Sequence, residues 1–176
     1  MPPPPVFRTA LNYGAISGLA GFAFFLLLYF VGIFPLGYGS WLGFWIPIVV
    51  MVMATKNYRE LNGGYINYWT AWGVGFLTAA CGGFLFGLLV YIFGKIGVRD
   101  FLDQYKAINL EAMEKSRALA VDFMGEKMYE DAVENLDKLT LSNVAMQEFM
   151  NKSFGGMLFG LITAAILQKK QPDSSF

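Results

Sequence analysis

Long uncharged apolar runs alternate with one charge-rich stretch along this chain. No Asp, Glu, Lys or Arg occurs from Thr9 through Thr55, from Leu61 through Gly94, or from Ser153 through Gln168. A hydrocarbon core about 30 Å thick takes roughly 20 helical residues, each rising about 1.5 Å. The first run, 47 residues long, has room for two spans and a turn. The second, with 34, holds one span and its interfacial flanks. The third has only 16, but Phe149 and Met150 precede it, and Lys152 can snorkel toward the headgroups. The pattern predicts an all-α, four-helix membrane bundle.

Punctuation refines the boundaries. A proline-rich tail covers residues 1–11 and is expected to be extended through Thr9. Spans one to three occupy residues 12–94: roughly 12–34, 41–55 and 66–93. Pro35, Gly37 and Gly39 turn the chain between the first two. Pro47 predicts a kink inside the second, and Asn62-Gly63-Gly64 a turn before the third. Trp69 and Trp72 at the start of that span, with Tyr91 and Phe93 at its end, read as rings at the two bilayer interfaces.

Residues 95–148 form a polar insert. Phe101, Tyr105, Ile108, Ala112 and Leu119 follow helical spacing, and so do Met128, Ala132 and Leu136. The insert reads as two amphipathic helices broken at Gly125, packed as a hairpin between spans three and four. The last helix is expected to begin near Ser142 in water and enter the membrane around Phe154. Span four covers 149–170 and a short tail 171–176.

Composition supports this reading, since 56% hydrophobic and 17% aromatic residues are unlike a soluble domain. Of 26 charged residues, 19 lie between Lys95 and Lys152. The absence of histidine removes His-ligated haem, the common zinc sites and imidazole acid–base chemistry. No cofactor, metal or catalytic set is expected, and a formal net charge of zero gives no reason to expect nucleic acid. The first apolar run reads as a retained signal anchor.

Orientation follows from Lys and Arg near the span ends. Arg8, Lys56, Arg59, Lys169 and Lys170 share one side in a four-span topology. The positive-inside rule places that side, with both termini, in the cytoplasm and the insert outside.

Glycine spacing is the clearest motif in the spans. Gly14/Gly18, Gly83/Gly87 and Gly156/Gly160 each put two glycines on one helix face, and Gly21 extends the first. Such faces let backbones approach, either within one chain or in a dimer. The span interiors otherwise offer only Ser17, Tyr29, Thr70, Thr78, Cys81 and Thr163 as polar side chains. The apparent lack of intramembrane charge disfavours ion-coupled transport. Cys81 has no base at its depth and reads as a packing residue. The acids at Glu126, Glu130, Asp131, Glu134 and Asp137 read as a solvated helix face. Contact with a partner is assigned to Tyr105, Met128 and Leu136 in the insert and to Tyr58 and Arg59 in the second connection.

Several short motifs are shared with a known family. Asn12-Tyr13-Gly14-Ala15-Ile16-Ser17-Gly18-Leu19, then Pro35-Leu36-Gly37, Tyr58-Arg59 and Gly63-Gly64-Tyr65-Ile66 resemble the bacterial membrane family called domain of unknown function 4199, found mainly in Bacteroidetes. That resemblance implies a four-span inner-membrane protein without assigned catalytic residues, with an accessory role in envelope glycan or lipid assembly. The expected function is a non-enzymatic subunit or scaffold contacting membrane lipids and another membrane subunit or itself. The alternative is a small channel or transporter for a neutral or lipidic solute.

Overall fold

A computed structural model describes residues 5–98 and 100–170, apart from the side chain of Tyr38. Among the described residues, seven α-helices follow one another: α1 Val6–Phe30, α2 Trp45–Leu61, α3 Tyr68–Ile92, α4 Phe101–Lys115, α5 Arg117–Met124, α6 Glu126–Asp137 and α7 Leu141–Leu167. A 3₁₀ segment, Gly37–Gly43, leads into α2, and a widened π turn, Phe93–Gly97, ends α3. The chain is an all-α bundle with four segments long and apolar enough to cross a membrane: Val6–Phe30, Gly39–Leu61, Tyr68–Gly97 and Leu141–Leu167. Ile16, Leu19, Val49, Phe84, Leu158 and Ile166 point away from the bundle. A helix apolar on its outer face as well as its inner one is built for lipid.

Helix α3 is the hub, packing along α7 on one side and α1 on the other while α2 closes the bundle. At one end the chain fastens itself. Ile66 and Lys169 exchange backbone hydrogen bonds of 2.9 and 2.8 Å, and Arg59 donates to the Leu167 carbonyl at 3.2 Å. The guanidinium thus satisfies a carbonyl that the end of α7 leaves open, where the helix dipole favours a cation.

At the opposite end, α4 docks onto the bundle. Phe101 is fully buried among Phe25, Phe34 and Phe93, with ring centroids 6.0, 5.4 and 5.6 Å away. Burying such a ring contributes about 2–3 kcal/mol. Phe93, partly buried where the π turn begins, packs against this aromatic core.

Other boundaries also differ from the sequence pattern. Helix α1 begins at Val6, since proline fits just before a helix as readily as in an extended tail; residues 1–4 and 171–176 lie outside the described residues. Pro47 does not kink α2. It sits in the first turn, where the backbone N–H it lacks has no helical partner in any case. The insert holds three helices, because Ser116 turns its hydroxyl onto the Ala112 and Met113 carbonyls and ends α4. Gly125, at φ +86°, makes the next break.

Helix α7 starts on a capping box. The Asn143 amide donates to Thr140 Oγ1 at 3.3 Å, and the Thr140 amide to Asn143 Oδ1 at 3.0 Å. Thr140→Ala is expected to destabilise the fold by about 1 kcal/mol, read as a lowered unfolding midpoint in detergent. An unchanged midpoint would mean the packing of Val144 alone holds this end.

Candidate functional site

The α3–α7 contact depends on residues without side chains. A Cβ at Gly87 would stand 2.6 Å from the Ala145 carbonyl oxygen, and one at Gly156 would collide with the Cβ of Ala79. Gly160 lies under Trp72, whose indole N–H donates to the Met157 carbonyl at 3.2 Å. On the other flank, Gly14 and Gly18 meet Cys81, Gly82 and Leu85, while Gly21 faces Phe86. All seven glycines singled out by spacing thus lie against other helices of the same chain.

Gly83 has a further consequence. A Cβ there would be 2.9 Å from the Cβ of Lys152, so the glycine leaves room for the lysine stem to lie between α3 and α7. The Lys152 ammonium donates to Glu148 Oε2 at 2.6 Å and stands 3.7 Å from the Phe86 ring centroid. Side-chain exposure is 16% for the lysine and 7% for the glutamate. Lys152 precedes Leu167 by about 22 Å of helix, inside the candidate span Leu141–Leu167. The lysine does not snorkel outward, and the bundle is not free of charge. Both readings are corrected by the gap at Gly83, which makes an inward path easier than an outward one.

The electrostatics explain how the pair is tolerated. An ion pair this close gains about 6 kcal/mol at an effective dielectric of 20. Removing the two groups from water costs several kcal/mol each. The Phe86 ring face adds about 2 kcal/mol when a cation is desolvated. The terms roughly cancel, so the pair does little to raise stability but costs much when broken.

Around Lys152 all four spans contribute to a cavity of about 40 Å³. Ser17, Phe25, Ser40, Pro47 and Phe86 line it with the lysine. Toward the N-terminal end of α7, Tyr105 of α4 donates to Gln147 Oε1 at 3.3 Å. Burial, and then the Glu148 charge, push the Tyr105 hydroxyl above the usual tyrosine range, so it remains a neutral donor. Among the other span hydroxyls, Thr55 and Thr78 donate to the Met51 and Val74 carbonyls at 2.9 and 2.7 Å, while the buried Ser153 Oγ has no hydrogen-bond partner among the described residues.

Of the residues assigned to partner contact, Tyr105, Leu136 and Tyr58 are buried within the chain, and Arg59 is engaged at the end of α7. Only Met128 is exposed. It shares the tip of the insert with Leu119, 77% exposed, and Phe123, 93% exposed. Sequence spacing left out Phe123 although it stands four residues after Leu119 on the same apolar stripe. It missed the ion pair although Glu148 and Lys152 stand four residues apart, the spacing at which helix side chains meet.

The family model described as Protein of unknown function (DUF4199) matches residues 12–169. The chain belongs to that family. No curated protein and no solved structure matches it.

Proposed function

We propose that this member of the family works as a non-enzymatic membrane subunit that uses its insert as a contact arm. In this reading the chain sits in an inner membrane with cytoplasmic termini, and α4–α6 project from the other face. The carrying observation is the contrast along the arm: Phe101 is buried in the bundle end, while Phe123 at the tip is 93% exposed. A firmly mounted base holds an apolar tip in place, which lowers the ordering cost of binding. Exposed aromatic and methionine side chains are the residue types that anchor protein interfaces.

The test is photo-crosslinking from position 123 in native membranes, followed by the same measurement on Phe123→Glu/Met128→Glu. A defined crosslinked protein is expected, with affinity lowered at least about 30-fold in the double variant, the equivalent of one interface hot spot. The thermal midpoint should not change, since neither side chain is buried. If crosslinks reach only lipid, or the double variant binds as well as the parent, the contact-arm reading fails. The channel or transporter reading draws on the cavity at Lys152, but about 40 Å³ holds only a few waters. A larger solute would require the helices to part.

A further inference from the structure

Beyond the contact arm, the four-span bundle contains a charged site beside a small cavity. We propose that the cavity at Lys152 is a one-ended aqueous vestibule. Water enters from the side of the Pro35–Phe44 connection and solvates the Lys152 ammonium, and the packing of α2, α3 and α7 beyond Lys152 closes the blind end.

Four observations carry this. First, the lining runs from Pro35, Gly39 and Ser40 at the connection to Ser17, Gly82 and Lys152 deep in the bundle. Second, polar groups reach into a lining that is otherwise mainly apolar. Glu148 takes one of the three ammonium donors, which leaves two for water, and Ser17 and Ser40 bring hydroxyls. Third, a volume of about 40 Å³ has room for about three waters at 10–15 Å³ each. Fourth, the path is blocked beyond Lys152. Ala79 lies against Gly156, a Cβ on Gly75 would be 2.9 Å from Met51 Cγ, and Val74, Ala54 and Ala164 are buried.

Lipid is the competing occupant, and size decides against it. The apolar slot on the other side of Lys152, between Phe44, Ile48, Met51 and Phe159, is only about 10 Å³. That is one water-sized space, not a channel for an acyl chain. Hydration also explains how two charged groups persist at this depth, since each water offsets part of the desolvation penalty.

The test uses the full chain in proteoliposomes with Cys81→Ala as background. Ser17→Cys and Ser40→Cys are exposed to silver ion, a thiol reagent about as small as the waters the cavity has room for. The control is Thr78→Cys, at a fully buried position outside the cavity lining. Ser17→Cys is expected to react at least about tenfold faster than Thr78→Cys, because an apolar, water-free site suppresses the reactive thiolate. Prior modification at Ser40→Cys should block the deeper site. Equal rates at positions 17 and 78, or reaction at 17 only with an uncharged lipid-soluble maleimide, would overturn the vestibule. X-ray hydroxyl-radical footprinting of the unsubstituted protein gives an independent reading. Phe86, beside the cavity, should be oxidised while the fully buried Phe101 is not, and the reverse order would likewise overturn it.

Discussion

Lys152→Met should destabilise the bundle by about 3–5 kcal/mol, the largest effect expected of any single substitution here. The loss does not measure the strength of the pair. It arises because the carboxylate of Glu148, 7% exposed, is left without its cation. Glu148→Met should be damaging for the converse reason: the ammonium then has only the Phe86 ring, 3.7 Å away, and water. Glu148→Met/Lys152→Met should recover most of the loss, since an apolar pair of similar volume replaces two charges whose gains and penalties nearly cancel. Unfolding of the four proteins in detergent forms a double-mutant cycle, and the expected coupling is at least about 2 kcal/mol. If the single and double variants simply add, the two groups do not act as a pair inside the bundle.

The second large effect concerns glycines that look alike in the sequence. Gly87→Ala should destabilise by about 1–3 kcal/mol, because the new methyl meets the Ala145 carbonyl, a backbone group that moves only with its helix. Gly73→Ala, on the same helix, should be neutral or stabilising by up to about 1 kcal/mol. Nothing lies within 4 Å of its added Cβ, and alanine loses less backbone entropy in a helix. Thermal midpoints of the two variants should therefore move in opposite directions. A shift of both the same way would mean that helix propensity, not the approach of α3 to α7, sets the role of these glycines.

Several features could be read before any coordinates. The four spans follow from runs without charge, because the length of helix needed to cross lipid is set by bilayer thickness and by the rise per residue. The glycine faces follow from spacing alone. The insert's helical character, its break at Gly125 and the start of α7 near Ser142 are equally local. They depend on residues within a turn or two of each other.

The errors have a common cause. Pro47 suggested a kink until the 3₁₀ segment before it showed that α2 starts only at Trp45. Tyr105 and Leu136 lie on apolar stripes that spacing shows, but only the docking of α4 onto the bundle end and the folding back of α6 decide that both are buried within the chain. Phe123 stands four residues after Leu119 on the same stripe, yet it is the most exposed ring among the described residues of the insert, because no other element covers that part of the arm.

The sequence by itself determined that this chain crosses a membrane four times, where its backbones can approach closely, and that one polar arm leaves the bilayer. Those properties are set by hydropathy and helical period, which act over neighbouring residues. Only the tertiary structure decided that Lys152 turns inward to Glu148 and Phe86. That choice depends on the space left by Gly83, on a helix far away in sequence, and no local pattern encodes which glycine will lie beside which lysine.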